Sequence, residues 1–259
     1  MITKLVLPVA GNGTRLRPLT LRTPKALVEL GGKPLVEYIL EEAAASGIRE
    51  VFFIISPIHR RHFARYLVRA RRRFPRLSFM VRVQREAYGN GHALLQIADC
   101  VGRKPFAVRF CDDVIVGKKP ALAALMGFFK KHRTTVLALT RVPKNRITSF
   151  GVVSVRRMIA PAFHDIRLIM EKPAREDIET FRLSNLTIVG AYILMPEIMK
   201  ELREIGEYAP RLPDALPLTA AFHRVLAGGG TIYGWEFPGA RLDCGNLNGF
   251  RKAERFLKK

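Results

Sequence analysis

Cysteine and long apolar runs are both scarce in this sequence. Its 259 residues include only three cysteines, and no two of them form a Cys-x-x-Cys pair. Because three scattered cysteines cannot build a disulfide framework, we expect Cys100, Cys111 and Cys244 to be free thiols. No apolar run approaches the roughly 20 residues of a membrane helix. The first residues also lack the basic segment and apolar core of a secretory leader, so we expect a cytoplasmic protein without a membrane partner.

Acidic residues are few as well. The chain has 22 Asp and Glu against 44 Lys and Arg, which gives a net charge of +22. Such a balance is compatible with RNA or acidic-surface binding. Much of the charge lies between His59 and Arg76, where apolar residues recur near helical spacing and predict an amphipathic helix with a solvated basic face. We favour that interpretation and expect no nucleic-acid partner. The arginines of this segment are Arg60, Arg61, Arg65, Arg69, Arg71, Arg72, Arg73 and Arg76.

Two common nucleotide-binding motifs are missing. No window has the spacing of a P-loop, in which Gly, four residues and Gly-Lys-Ser/Thr follow one another. The dinucleotide fingerprint needs Gly-x-Gly-x-x-Gly after the first strand, but a pattern started at Gly11 ends on Leu16. Any nucleotide site must therefore use another arrangement.

A glycine turn follows the first apolar segment. Residues 2–9 predict a buried strand, and Gly11 and Gly13 come directly after it, with Arg15 and Lys25 downstream. Such a turn brings backbone N–H groups close to a phosphate, and the two cations add positive charge. A Gly-x-Gly alone fits a structural turn equally well, but these flanking residues favour a nucleoside triphosphate site.

Strands and helices alternate in the first part of the chain. Strands are expected at residues 2–9, 51–55, 77–83 and 106–110, and helices at residues 35–45 and 91–98. This alternation predicts an α/β sandwich of three layers with a largely parallel sheet. Ligands collect at the carboxyl ends of such strands, where Gly11, Gln84 and Asp112 fall.

The second part is richer in β-structure. After a helix at residues 121–132 and a strand at residues 135–142, we expect strands at 151–155, 166–171 and 187–194 joined by loops rather than helices. Helices at 196–203 and 219–226, a strand at 231–235 and a basic helix near 249–258 complete the chain. With 48% hydrophobic residues the chain can bury one large core. We expect a single domain, residues 1–259, with a nucleotide-binding half (1–142) and a half for a second substrate (143–259).

An ordered set of motifs resembles the sugar-phosphate nucleotidyltransferases, in particular the bacterial-type UTP–glucose-1-phosphate uridylyltransferases. Each motif is short, but together they span nearly the whole chain in the order typical of the family. They are Pro8-Val9-Ala10-Gly11-x-Gly13-Thr14-Arg15, Gln84 with Gly89-x-Gly91-His92-Ala93, Pro105-Phe106-Ala107-Val108 running into Asp112-Asp113, Phe150-Gly151-Val152-Val153 with Glu171-Lys172-Pro173, Ser184-Asn185-Leu186 with Ile188-Val189-Gly190, and Asp243-Cys244-Gly245-Asn246.

The resemblance implies a fold and a reaction. The fold is a Rossmann-like three-layer sandwich with a mixed, mainly parallel sheet and a β-rich sugar-binding half. The reaction converts UTP and glucose 1-phosphate to UDP-glucose and pyrophosphate with Mg²⁺. A sugar phosphate is already ionised at neutral pH, so the protein needs to position the reactants and neutralise charge rather than supply a general base.

The resemblance also implies roles for particular residues. Asp112 and Asp243 would hold the metal, Arg15 and Lys25 the triphosphate, and Lys172 the sugar 1-phosphate. These five form the expected catalytic set. Nucleotide contacts are expected from Ala10, Gly11, Gly13, Thr14, Arg15, Gln84, Gly89 and Asp112, and sugar-phosphate contacts from Gly151, Glu171, Lys172, Val189 and Gly190.

Three further side chains are expected to act near the nucleotide site. Gln84 carries an amide donor and acceptor, which suit the imide edge of uracil. His92 could reach a phosphate or cap its helix, and we favour the cap; Asp113 is expected to bond nearby or face the ribose. Ala240 replaces a lysine common in the family, and the adjacent Arg241 is a possible substitute.

Several alternatives stay open. A thymidylyltransferase or another nucleotide-sugar pyrophosphorylase would use the same motifs, because Gln84 accepts thymine as well as uracil. A catalytically silent binding or regulatory protein of the same fold is a further possibility, although retention of all five catalytic candidates argues against it. The insertion that longer members use for subunit association is missing, so a homo-oligomer is possible but is not implied.

Overall fold

The computed structural model describes residues 1–86, 88–208 and 216–258. Its centre is a nine-stranded sheet in the order β5-β4-β1-β6-β11-β8-β12-β10-β9, and two short two-stranded sheets, β2-β3 and β7-β13, lie beside it. The strands are β1 (Lys4–Pro8), β2 (Glu29–Leu30), β3 (Lys33–Pro34), β4 (Glu50–Ile55), β5 (Ser78–Val83), β6 (Phe106–Arg109), β7 (Asp113–Val116), β8 (Thr135–Arg141), β9 (Gly151–Ala160), β10 (Phe163–Glu171), β11 (Leu186–Leu194), β12 (Ile232–Glu236) and β13 (Ala240–Asp243).

Helices cover both faces of the large sheet. One apolar cluster joins the sheet to α1, α2 and α5. A second joins the opposite face to α3, α4, α7 and α8, which confirms the three layers. The helices are α1 (Leu35–Ala45), α2 (Arg60–Arg73), α3 (Gly89–Leu95), α4 (Ala98–Val101), α5 (Ala121–His132), α6 (Arg175–Thr180), α7 (Pro196–Tyr208), α8 (Leu218–Ala227) and α9 (Leu247–Leu257).

The sheet is mixed, as expected, but parallel pairs do not predominate. Strands β5, β4, β1 and β6 run parallel, and so do β12 and β8. Strand β11 pairs antiparallel with both β6 and β8, and β10 pairs antiparallel with β12 and β9. Antiparallel strands enter because the second part of the chain connects several strands without crossover helices.

The predicted ends of a helix agree with the structure where the sequence has a clear apolar stripe. Helix α1 occupies the predicted residues because Leu35, Ile39 and Ala43 recur every four residues and are fully buried. The helix expected at 91–98 instead begins at Gly89 and ends at Leu95, with α4 as a separate turn. The expectation of loops alone between β10 and β11 is wrong, since the short helix α6 lies there.

Helix α9 supports the smaller β7-β13 sheet. Phe250 and Ala253 on this helix pack with Val114 of β7 and Leu242 of β13 in a separate apolar cluster. The packing fixes this antiparallel pair of strands, which come from distant parts of the chain, just after the end of β6. Among the described residues, no helix combines the length and apolar character needed to cross a bilayer.

Candidate active site

A cavity of about 280 Å³ opens at the carboxyl ends of the parallel strands. This position is the one that the strand–helix alternation predicts for a ligand. The cavity collects six of the predicted nucleotide-site and catalytic residues from four separate stretches of chain. They are Ala10, Gly11, Lys25, Gln84, Gly89 and Asp112.

The glycine turn is held by contacts that only glycine allows. Gly13 has φ +62°, and a Cβ there would lie 3.0 Å from Cβ of Lys25. The Thr20 hydroxyl donates a 2.8 Å hydrogen bond to the Gly13 carbonyl. At Gly11 a Cβ would meet no atom within 4 Å, so that backbone faces open space. The turn therefore presents its main chain at the cavity while Gly13 closes against Lys25.

Arg15 lies on the exposed side of the same turn. It belongs to a short 3-10 helix, Thr14–Leu16, in which Thr14 and Arg15 are exposed and Leu16 is buried. Its positive charge acts on Lys25 and opposes the increase in the pKa of that residue. Lys25 lines the cavity and Arg15 does not, so the described geometry brings only one of the two predicted phosphate-binding cations into the cavity wall.

Lys25 and Asp112 form an ion pair at the cavity wall. Their side chains are only 16% and 26% exposed. Burial by itself would lower the pKa of Lys25 and raise that of Asp112, but their mutual attraction outweighs it. The pKa of Lys25 is therefore raised and that of Asp112 lowered, so both groups are charged at neutral pH.

Asp243 brings a second carboxylate to the same place. Strands β7 and β13 pair antiparallel with Asp243 directly opposite Asp113, and the Cys244 amide donates a 2.7 Å hydrogen bond to the Asp112 carbonyl. A Cβ on Gly245 would lie 2.9 Å from Oδ1 of Asp243 and 3.3 Å from Oδ2 of Asp112. Gly245 thus keeps a small space open between the two carboxylates.

Carboxylates that lie this close to each other are the groups that could share a divalent cation. Mg²⁺ is usually held by one or two carboxylates, with phosphate oxygens and waters completing its octahedron. Within the described ranges, no group of three or more His, Cys, Asp and Glu residues converges on a metal position. With only these two carboxylates, a cation bound by Asp112 and Asp243 would need further ligands, such as nucleotide phosphates and waters.

Asp113 has structural partners of its own. The Gly190 amide and Nε of Arg241 donate hydrogen bonds of 2.8 and 2.6 Å to its two carboxylate oxygens. The Arg241 guanidinium also lies 5.1 Å from the ring centroid of Phe150. Arg241 therefore connects Asp113, next to Asp112, with Phe150, the residue that precedes strand β9. Of the two roles expected for Asp113, nearby bonding is the one observed.

Gln84 is oriented by its neighbours. It is only 5% exposed, and its Nε2 donates to the Gly89 carbonyl at 3.0 Å and lies 3.2 Å from Nδ1 of His92. Because the amide nitrogen is committed to these contacts, the side chain offers its carbonyl oxygen to a ligand. The expected capping role of His92 is wrong, because His92 lies inside α3 and contacts Gln84 and Gln96.

Gly89 is needed for packing rather than for room around a ligand. It has φ +87°, and a Cβ there would lie 2.4 Å from the Leu216 carbonyl oxygen. The Gly91 amide donates to the same carbonyl, and the Leu218 amide donates to Oδ1 of Asn90. The start of α3 is thus fixed by a segment more than 120 residues away.

The expected sugar-phosphate residues divide into two groups. Glu171 pairs with Gly151 across β10 and β9, and a Cβ on Gly151 would lie 2.9 Å from the Glu171 carboxylate. Lys172 follows the end of β10, is exposed, and has φ +45°, a backbone conformation that is uncommon for residues other than glycine. Desolvation raises the pKa of Glu171, and Lys172 opposes this increase.

Val189 and Gly190 belong to the sheet interior. The Val189 side chain is fully buried in the core, so only its backbone is available to a ligand. A Cβ on Gly190 would lie 2.6 Å from the Phe110 ring, which means that this glycine permits close packing. Tyr192, on the same strand, has its pKa raised by burial and further by the negative charges of Asp113, Glu171 and Asp112.

Sequence reasoning missed a buried ion pair behind the cleft. Arg109 is fully buried and donates to the Glu42 carboxylate, to the Gly190 carbonyl at 2.7 Å and to the Asp113 carbonyl at 2.9 Å. Glu42 also accepts a hydrogen bond from the Leu122 amide. An arginine at the end of an otherwise apolar strand was the available signal.

The chain matches known proteins along its full length. The family model described as nucleotidyl transferase matches residues 4–259. The UTP–glucose-1-phosphate uridylyltransferase of Pseudomonas aeruginosa is 32% identical, with 99% of this chain and 96% of the relative covered. The enzyme of the same name from Mycoplasma pneumoniae is 31% identical, with 98% and 92% covered.

Solved structures of nucleotide-sugar pyrophosphorylases share the fold of this chain. A UDP-glucose pyrophosphorylase complexed with UDP-glucose superposes with a TM-score of 0.86 at 27% identity over all of both chains. A putative glucose-1-phosphate thymidylyltransferase from Bacillus anthracis superposes with a TM-score of 0.82 at 20% identity over 100% of this chain and 96% of that one, which shows a shared fold alone. On the full-length family match, this chain is a member of the nucleotidyl transferase family.

Proposed function

We propose that this protein is a UTP–glucose-1-phosphate uridylyltransferase that makes UDP-glucose and pyrophosphate. One observation carries the proposal. Lys25, Asp112 and Asp243 converge beside Gly245 at the mouth of a cavity whose wall includes Gln84. The names of the relatives support uridylyl transfer to glucose 1-phosphate.

The reaction needs no proton to be removed from the nucleophile. An anionic phosphate oxygen of glucose 1-phosphate attacks the α-phosphorus of UTP in line. The bond from that phosphorus to the bridging oxygen breaks, and pyrophosphate leaves with the electron pair. Arg15 and Lys25 neutralise the triphosphate, and positioning supplies the remaining acceleration.

Asp112 and Asp243 would hold one divalent cation, which we propose to be Mg²⁺. Bound there, the cation would add positive charge at the α-phosphate. The space beside Gly245 and the carboxylate ligands fit a hard cation of this kind. Lys25 keeps Asp112 ionised and therefore ready to act as a ligand.

The orientation of Gln84 favours uracil or thymine over cytosine. Uracil and thymine carry an N3–H donor, which the Gln84 carbonyl oxygen accepts, whereas N3 of cytosine is itself an acceptor. The backbone at Ala10 and Gly11 lies on the same cavity wall. The choice between UTP and dTTP rests on the ribose 2′-hydroxyl, and the relatives' names favour UTP.

The second substrate would lie between the two parts of the cleft. We propose that Lys172 binds the 1-phosphate and that Glu171 accepts hydrogen bonds from sugar hydroxyls, beside Gly151. Val189 would contribute only its backbone, and Gly190 only van der Waals contact, because its amide and carbonyl are already hydrogen-bonded to Asp113 and Arg109.

Pyrophosphate release across a panel of nucleoside triphosphates and sugar 1-phosphates tests the proposal. We expect the highest kcat/KM for UTP with glucose 1-phosphate, and loss of the signal in Asp112→Asn. Faster turnover with dTTP would instead identify a thymidylyltransferase. No release with any pair, from a protein that melts cooperatively, would indicate a catalytically silent member of the family.

A further inference from the structure

Helix α2 carries a stripe of arginines that the proposed reaction does not use. Arg61, Arg65, Arg69 and Arg72 recur about once per helical turn and are all exposed. With a rise of 1.5 Å per residue, these four positions span about 17 Å along one side of the helix. We call these four residues the arginine stripe.

The stripe faces directly away from the core. The opposite side of α2 buries Phe63, Tyr66, Leu67 and Ala70 against the sheet, so the helix is anchored and its orientation is fixed. None of the four arginines lines the nucleotide cavity. The stripe is therefore a rigid surface separate from the candidate active site.

The charge of this region is not balanced by acidic side chains. From residue 51 to residue 85 the sequence contains ten arginines and no Asp or Glu. Among the residues that the structure describes, Arg73 is the one arginine of α2 that pairs with carboxylates, those of Glu37 and Glu41 on α1.

The close spacing of the arginines on α2 lowers the stability of the protein when no partner is bound. Like charges four residues apart repel each other by a few tenths of a kcal/mol per pair. The first turn of α2 carries Arg60 and Arg61 and no acidic residue, although the positive end of the helix dipole disfavours cations there. An anionic partner would remove both unfavourable terms.

We propose that the arginine stripe binds the phosphate backbone of nucleic acid without sequence specificity. Guanidinium groups bind phosphate through two parallel hydrogen bonds. Protein–nucleic acid interfaces are also more positively charged than protein–protein interfaces. The aromatic side chains of α2, Phe63 and Tyr66, are buried and unavailable for base stacking. Backbone contact without base readout is the mode that remains.

Membrane surfaces fit the stripe less well. A helix that lies on a bilayer buries an apolar face in the lipid, but the apolar face of α2 is already packed in the core. On the exposed side, Val68 is the large apolar residue of the helix, with Ile58 just before it. The proposal goes beyond our sequence-based expectation of a solvated basic face without a nucleic-acid partner.

The test compares two variants with the same loss of charge. In the stripe variant, Arg61, Arg65, Arg69 and Arg72 are changed to Gln. In the matched control, four exposed cations from other surfaces are changed to Gln, namely Lys130, Lys131, Arg203 and Lys258. Fluorescence anisotropy measures binding to a single-stranded RNA and a duplex DNA of mixed sequence across a series of NaCl concentrations.

We expect the wild type and the control to bind within a few fold of each other. The stripe variant should bind at least about tenfold more weakly, and the slope of log K against log salt should fall by about 3 for RNA and about 4 for duplex DNA. Uridylyl transfer should be unchanged in both variants, so the result is independent of the proposed reaction.

Three outcomes would overturn the proposal. Equal weakening in the control would mean that net charge alone attracts the polyanion. Full competition by UTP would place the polyanion in the nucleotide cavity. Binding to phosphatidylserine vesicles with no binding to nucleic acid would identify a lipid surface as the partner.

Discussion

Two carboxylates from distant parts of the chain are the residues on which the proposed chemistry most depends. Asp112→Asn and Asp243→Asn each keep the side-chain shape while removing a charge from the space beside Gly245. We expect turnover to fall by about a hundredfold or more in each, comparable to losing one transition-state contact. Pyrophosphate release at increasing Mg²⁺ measures the effect.

The control for these variants is Asp99→Asn. Asp99 is a carboxylate with a 70% exposed side chain, paired with Arg82. It should leave turnover unchanged. Near wild-type activity of either active-site variant at saturating Mg²⁺ would remove that residue from the proposed metal site.

Gln84 is expected to act on the nucleotide alone. Gln84→Ala removes the carbonyl oxygen that would accept from the base, so the KM for UTP should rise about tenfold, while the KM for glucose 1-phosphate stays within twofold. Gln96→Ala is the matched control, because Gln96 also contacts His92. A parallel rise of both constants would contradict base recognition by Gln84.

Arg109 is expected to stabilise the protein through Glu42. Arg109→Met leaves Glu42 without its partner in a site where the carboxylate is only 10% exposed, so the free energy of unfolding should fall by about 3 to 5 kcal/mol. Adding Glu42→Gln, which keeps the acceptor for the Leu122 amide, should recover part of the loss.

Urea denaturation measures these values, and Arg49→Met provides the reference. Arg49 is an exposed arginine whose replacement should change stability by less than about 0.5 kcal/mol. A double variant less stable than Arg109→Met alone would contradict the explanation by an unpaired charge.

At the scale of single elements, strand β11 needs glycine at one position. A Cβ on Gly190 would lie 2.6 Å from the Phe110 ring and 3.0 Å from the Asp113 carboxylate. Gly190→Ala must therefore displace both side chains, and we expect a loss of about 1 to 3 kcal/mol in the free energy of unfolding together with reduced turnover. Thermal unfolding and pyrophosphate release provide the two measurements.

Helix α5 supplies the opposite control. Gly127 is exposed in the helix interior, and a Cβ there would meet no atom within 4 Å. Gly127→Ala should raise stability by about 0.5 to 1 kcal/mol because alanine favours helix. Equal effects at the two glycines would contradict the packing explanation.

At the scale of the whole molecule, the Lys25–Asp112 pair makes stability depend on pH. The pKa of Asp112 is lowered from the ordinary 3.8, so its contribution is complete above that value and is lost as the pH falls through the folded-state pKa. The pKa of Lys25 is raised above 10.5, so its contribution is present below 10.5 and is lost as the pH rises through the folded-state pKa.

Lys25→Met tests this dependence. At pH 7 we expect it to be less stable than the wild type by about 1 to 2 kcal/mol, since both side chains are partly exposed. The difference should disappear at acid pH, once Asp112 is protonated. Chemical denaturation across the acid range measures it, and a difference that persists below the folded-state pKa would contradict an ionic origin.

The sequence by itself determined the elements with strong local patterns. The apolar stripe of α1 and the alternation of strands and helices follow from spacing within about a dozen residues. The motif order also indicated the family, and Gly11, Gln84 and Asp112 were expected at one edge of the sheet. These three residues could be placed together because parallel strands joined by helices have their carboxyl ends on the same side of the sheet.

Only the tertiary structure decided how the site is held together. The Arg109–Glu42 contact joins residues 67 positions apart, and the Arg241–Asp113 contact joins residues 128 positions apart. The contact between the first turn of α3 and Leu216 cannot be predicted from the nearby sequence, and neither can the pairing of β7 with β13. Such contacts depend on which segments the packed core brings into reach, and a side chain's neighbours in sequence do not determine them.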